Sequence, residues 1–189
     1  MKVRESGMPE EAIWSQFFDI ELILSELQIN SVVKDMAEIG CGYGTFTIPA
    51  SLKISGKLFG FDIEKSMIEL VRKKLYGNCI SNVVLEKKDV VKDSTGLSEN
   101  SMDYVMLFNI LHHHLPGDFL NEAYRILKPK GKIGIIHWRS DISTPRGPDL
   151  SIRPTPENIL QMIDPDLFIV EKQAFWLPPY HYGMIISKK

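Results

Sequence analysis

Apolar positions in this chain follow two rhythms. Ile13, Trp14, Phe17 and Phe18 stand at i, i+1, i+4 and i+5, one face of a helix over residues 10–18. Ile20, Ile23, Leu24 and Leu27 make a second stripe, and Asp19 just before them is suited to N-cap it. Met67, Leu70, Val71 and Leu75 line one side of residues 66–76, with Glu69, Arg72, Lys73 and Lys74 opposite. Phe119, Leu120, Ala123, Ile126 and Leu127 repeat the pattern over residues 118–127. Residues 45–54 and 157–162 complete the predicted helices. Pro49 is tolerated early in the first of these, because the first N–H groups of a helix have no internal partner. Between the helices lie short apolar runs at 35–39, 57–61, 82–86, 102–108, 132–137, 167–171 and 182–187, read as strands. Residues 1–9 read as a loose lead. Residues 138–156 are polar and rich in proline and glycine, and too little chain follows them for a second domain, so they read as an active-site loop.

The first strand runs into Glu38-Ile39-Gly40-Cys41-Gly42-Tyr43-Gly44-Thr45. Alternate glycines leave the backbone bare at 40, 42 and 44, so a ligand can lie directly on it. Such a turn at the C-terminal edge of a parallel sheet is where open α/β folds bind nucleotide-like ligands. A dinucleotide fingerprint would need glycine at 45, where this chain has Thr. A carboxylate at Glu38 suits a cationic ligand better than a pyrophosphate. Asp62 follows Gly42 by 20 residues and ends the second strand, where a carboxylate can accept both hydroxyls of a ribose.

Composition narrows the setting. A chain of 189 residues fits one domain with a full core. A net charge of −2 gives no electrostatic footprint for nucleic acid. Cys41 and Cys79, with a count of 2, offer neither a disulfide framework nor metal-ligand spacing. No secretory leader and no long apolar run is visible, so a cytoplasmic setting without membrane attachment is expected.

The Glu38-to-Gly44 motif resembles the first motif of the class I S-adenosylmethionine (SAM)-dependent methyltransferases, in the small single-domain type 11/25 style. The run EAYRILKPKGKIGIIHW resembles that family's R-x-L-K-P-G-G segment before the fifth strand, with Lys130 in place of the first glycine. The resemblance covers roughly residues 30–189. It implies an α/β, Rossmann-like, doubly wound, three-layer αβα fold. Its seven-stranded sheet is mostly parallel with one antiparallel edge strand, the last two strands forming an antiparallel pair. Residues 31–189 would be the SAM-binding methyltransferase domain. Residues 1–30 would be an N-terminal helical part of that same domain, either packed on the sheet or forming a lid whose aromatics cover the cofactor.

The implied cofactor is SAM. In the family, the Gly turn faces the amino-acid portion of SAM and the acid at Glu38 lies near its positive charges. The resemblance places Gly40, Cys41, Gly42 and Thr45 at that portion, with Asp62 and Ile63 at the ribose. Met67 would touch the adenine. Asp89, with Val90 beside it, would accept from the 6-amino group, Asp93 being the alternative. Asn109, at the end of the fourth strand, would lie beside the methyl group.

His112, His113 and His114 are consecutive, so on a helix they cannot all face one metal, and no metal is expected. A His-His pair after the fourth strand shapes the acceptor pocket in small methyltransferases of this kind; which two of the three hold that place is open. His137 ends the fifth strand at the same sheet edge. A general base is sought among these histidines, with His113, His114 and His137 as the candidates. The acceptor is expected to be a small molecule, flat or hydrophobic, with its methylated atom undetermined. No nucleic-acid or membrane partner is expected, and a homodimer is compatible with the chain. Leu177-Pro178-Pro179-Tyr180 lacks the acidic or amide first residue of the DNA-amino-methylating motif and falls between the last two strands. The competing readings are a SAM-binding module without catalysis and an NAD(P)-dependent oxidoreductase.

Overall fold

The structure is a computed structural model that describes residues 9–189. Residues 1–8 of the expected N-terminal lid lie outside the described residues. The strands are β1 (Met36–Ile39), β2 (Leu58–Asp62), β3 (Val83–Lys87), β4 (Met102–Phe108), β5 (Leu127–Trp138), β6 (Phe168–Leu177) and β7 (His181–Lys188). The helices are α1 (Glu11–Trp14), α2 (Ile20–Glu26), α3 (Thr47–Lys53), α4 (Lys65–Gly77), α5 (Val90–Asp93), α6 (Pro116–Ile126) and α7 (Pro156–Met162).

All seven strands form one sheet in the order β3-β2-β1-β4-β5-β7-β6. β1 to β5 pair in parallel, and β7 runs antiparallel to both β5 and β6. The reversed strand thus sits one place inside the sheet, and β6 forms that margin. This is the doubly wound, mostly parallel fold expected. The sheet order reverses at β1 and β4, which is where such folds bind ligands.

β1, β2 and β4 are largely buried on both faces, which is why their sequences run mostly apolar, while β3 at the sheet margin is half exposed. Their side chains still alternate. Tyr104, Met106 and Phe108 face a core shared with α2, α3 and the aromatics of residues 14–18, while Val105 and Leu107 face one shared with α6 and α7. Asp19 caps α2 as expected, accepting from the Leu22 N–H at 3.0 Å. The helix expected over 10–18 is shorter. α1 tightens into a 3-10 turn over Ser15–Phe17, and Phe18 turns extended to bridge Pro179.

β5 begins directly after α6, at Leu127, which pairs with Met102. The expected turn at 128–131 is instead an irregular strand start, bulged between Met102 and Tyr104 on the partner strand, with Lys130 at φ 66°. Trp138 and Trp176 belong to β5 and β6, not to the loops beside them. The segment 139–155 is pinned by Arg153, whose guanidinium donates to the carbonyls of Pro148 and Arg139 at 2.8 and 2.9 Å and to Thr144 Oγ1 at 2.8 Å. Among the described residues, no helix is long and apolar enough to cross a membrane.

Candidate active site

The turn after β1 takes its shape from its glycines. Gly40 and Gly42 sit at φ 85° and 51°, left-handed conformations that side chains disfavour. A Cβ at Gly40 would also come within 3.1 Å of Ile110. The N–H groups of Gly40 and Cys41 both donate to Phe61 O, at 2.8 and 2.9 Å, which ties the turn to the end of β2. Asp62 completes the tie. Its Oδ2 accepts from Gly42 N and its Oδ1 from Glu64 N, both at 2.8 Å. Burial raises the Asp62 pKa above the usual carboxylate value against the pull of these bonds.

Glu38 is 2% exposed, flanked in the sheet by Gly60 and Met106. Thr47, at the start of α3, donates its hydroxyl to Glu38 Oε2. Burial pushes this carboxyl up to about 8; the Thr47 bond opposes that and the Asp62 charge adds to it. Glu38 therefore holds a proton at neutral pH, and a cation beside it would draw that proton off. Burial drives the neighbouring Cys41 thiol well above its ordinary range, with Glu38 and Asp62 adding to the effect, so Cys41 is no nucleophile.

One cleft opens along the C-terminal ends of β1 to β4. Glu38, Gly40, Cys41, Gly42 and Thr45 border it from the first turn, and Asp62, Ile63 and Met67 from the second. Asp89 and Val90 border it from the third and Asn109 from the fourth. Every cofactor contact named from the sequence thus lies on a single wall system. Asp89 also caps α5, accepting from Lys92 N at 3.2 Å. Asn109 holds φ 54°, its N–H donating to Ile136 O at 2.8 Å, and its buried Oδ1 has no hydrogen-bond partner among the described residues. Two carboxyl groups, an unsatisfied amide oxygen and a bare glycine backbone are a donor set that fits a cationic nucleoside such as SAM. Trp14, Phe46, Phe108 and Phe119 add aromatic walls.

The histidines separate. His112 and His113 border the cleft, whereas His114 and His137 do not. The His114 ring lies 4.1 Å from that of His113. His137 is fully buried, and its Nε2 stands 3.3 Å from His112 Nδ1. Burial, then the neighbouring His112, hold its pKa down to about 3. Of the candidates His113, His114 and His137, the structure brings His113 to the cleft, together with His112, which was not among them. The signal was available in principle: His112 follows β4, His137 ends β5, and these strands are neighbours. No cluster of three or more potential metal ligands occurs among the described residues.

Residues 36–131 match the methyltransferase domain family, and the chain belongs to it. Its fold is that of the class I SAM-dependent methyltransferases. The chain is 29% identical over 119 residues to a demethylmenaquinone methyltransferase of Lactobacillus johnsonii, covering 61% of this chain and 46% of that protein. It therefore spans about half the length of that curated relative. Among solved structures, a SAM-dependent methyltransferase from Aquifex aeolicus superposes with a TM-score of 0.81 at 21% identity, covering 92% of each chain. A putative type 11 methyltransferase from Sulfolobus solfataricus gives 0.71 at 26% identity, over 89% of this chain and 90% of that one.

Proposed function

We propose that this protein is a cytoplasmic enzyme that moves the methyl group of SAM to a small, flat acceptor. The observation that carries the reading is the buried Glu38 carboxyl beside a glycine backbone and Asp62, on the same cleft as the unsatisfied Asn109 oxygen. A pyrophosphate would hold the Glu38 proton in place and gain nothing from that carboxyl, whereas a sulfonium or an ammonium would draw the proton off and meet a carboxylate.

When bound, SAM supplies a methyl group on a good leaving atom, displaced in line by the acceptor. The residues here bind, orient and exclude water. Glu38 and Asn109 face the positive end, Asp62 the ribose and Met67 with Asp89 the adenine. Positioning of this kind supplies about 7–11 kcal/mol of barrier reduction, so a strong catalytic residue is not required. Trp14, Phe46, Phe108 and Phe119 would keep water from the cleft and, being apolar, would favour the loss of a positive charge beside them. His112 borders the cleft and is placed to take a proton from an acidic acceptor group. The N-terminal segment acts as the lid, with Trp14 on the cleft wall. The relative named for demethylmenaquinone and the aromatic walls both favour an aromatic acceptor.

Calorimetry with SAM, S-adenosylhomocysteine and NAD tests the cofactor: the first two should bind and NAD should not. A radiolabelled methyl-transfer screen over small-molecule pools then tests turnover. Binding of SAM without transfer to any pool would favour a non-catalytic module.

A further inference from the structure

Trp138 and His181 stand opposite each other where β5 pairs with β7, and both are fully buried. Their rings lie 4.2 Å apart. The indole N–H of Trp138 and both ring nitrogens of His181 have no hydrogen-bond partner among the described residues. Buried polar groups are nearly always paired, and an unpaired one costs about 1–3 kcal/mol. Two neighbouring side chains with every ring nitrogen unmet need a reason.

The Phe18 ring covers them. It stacks on His181 at 4.5 Å and 29°, and lies 5.0 Å from Trp14, 5.1 Å from Phe46 and 6.4 Å from Trp138. Trp14 and Phe46 also border the cofactor cleft, and Phe46 touches Phe108, the residue before Asn109, at 4.9 Å. The slot holding Phe18 therefore adjoins the end of the cleft where the methyl group would lie. An apolar ring fills this slot in shape and leaves its nitrogens unserved.

We infer that the Phe18 slot is the acceptor subsite, taking a flat, uncharged aromatic ring whose oxygen accepts from the Trp138 indole N–H and engages His181. The inference rests on the methyl-transfer reading above. The aromatic lining of the slot matches a planar guest in place of Phe18. The charge of the guest follows from what surrounds it. Arg153, 5.5 Å from the Trp138 ring, donates to backbone carbonyls and Thr144 and is answered by the charge of Asp149, so the slot has no unbalanced cation to call for an anionic guest. The segment carrying Phe18 has few backbone ties and is held chiefly by the packing of its rings, which a guest ring could replace: α1 has four residues, and one isolated bridge joins Phe18 to Pro179. The Lys74–Glu11 ion pair and a 2.9 Å bond from the Tyr43 hydroxyl to Pro9 O hold its start. Segments with so few ties open most readily.

The test uses 1-naphthol, naphthalene and decahydro-1-naphthol as probes, titrated calorimetrically into the full chain saturated with S-adenosylhomocysteine. Wild type should prefer 1-naphthol to both of the others. Phe18→Ala should bind it at least tenfold tighter than wild type, with S-adenosylhomocysteine affinity unchanged. His181→Phe should reduce the preference for 1-naphthol over naphthalene, the Trp138 N–H keeping the remainder, and leave naphthalene binding intact. A Phe18→Ala protein that binds S-adenosylhomocysteine normally but 1-naphthol no better than wild type overturns the slot. So does a His181→Phe protein that keeps the preference undiminished, a result that holds even if Phe18→Ala fails to fold. A wild-type chain that does not bind S-adenosylhomocysteine overturns the cofactor reading beneath it.

Discussion

His112 Nδ1 lies 3.3 Å from His137 Nε2, joining a residue on the cleft wall to one sealed inside the sheet. The second His137 nitrogen stands 3.3 Å from the Trp138 carbonyl, which can only accept. The network therefore assigns the His137 proton to Nδ1 and the His112 proton to its own Nδ1, leaving the His112 lone pair on Nε2. His112→Gln should lower kcat about 100-fold for an acceptor that must lose a proton, with SAM affinity unchanged. His137→Gln should cost less and be visible mainly in the pH–rate profile, because it holds His112 without meeting the acceptor. Steady-state kinetics across pH check both. Equal losses in the two variants would remove the distinction.

The Glu38 carboxyl, held near 8 by burial, makes cofactor binding a proton-linked event. SAM should displace a proton from it below about pH 8, and affinity should rise with pH toward that value. Calorimetry in buffers of different ionisation enthalpy reads the released proton directly. Glu38→Gln should abolish the release and weaken SAM by about 1–3 kcal/mol. Without ligand the sign reverses. The folded state holds the proton more tightly than the unfolded one, so this group's contribution to stability is full below about 4.5 and is lost as pH rises through about 8. Glu38→Gln should flatten that part of the stability profile.

Asp62 has two duties that one substitution separates. Its carboxylate holds the N–H groups of Gly42 and Glu64, and it is the proposed ribose partner. Asp62→Ala should weaken SAM by about 1–3 kcal/mol through unpaired hydroxyls, and also loosen the turn. Adenosine alone, titrated calorimetrically, should lose affinity in parallel with SAM. If adenosine binding is untouched, the ribose does not meet this residue.

His137 and His181 are both buried rings whose pKa values burial holds below the ordinary imidazole value. The unfolded chain takes up protons on them near 6.5, and the folded chain does not. Their contribution is fully present above about 6.5; for His137 it should fall by about 1.4 kcal/mol per pH unit as pH drops toward 3, and His181 acts in the same direction. Denaturant melts at pH 7, 6 and 5 should show the decline, and His181→Phe should reduce its slope. A slope unchanged by that substitution would mean another group carries it.

Much of the cofactor cleft was legible because its demands fall on single residues at the ends of strands. A turn that must pass under a ligand needs glycine, and an acid closing the next strand needs only the right distance along the chain. The acceptor side is assembled differently. Trp138 and His181 meet through the antiparallel register of β5 and β7, and His112 meets His137 across neighbouring strands. Pairing of that kind leaves no spacing to read. The start of β5 was misjudged for a related reason. Leu127 is apolar, and so fits the end of a helical stripe as well as the first rung of a strand. Glu122 hid in the same way: it sits in an amphipathic helix, yet it is 8% exposed and accepts from Thr95 N at 2.7 Å while pairing with Arg125.

The place of β7 inside β6 has an outcome during folding. β6 pairs, among the described residues, with β7 alone. Until β7 docks between β5 and β6, the backbone edge of β6 is open to other chains. Its own sequence guards against this: Glu171 and Lys172 break up the apolar positions, and a register shift beside them interrupts the ladder. Anything that delays the docking of β7 would therefore lengthen the period of greatest risk of aggregation, without altering a single contact in the finished protein.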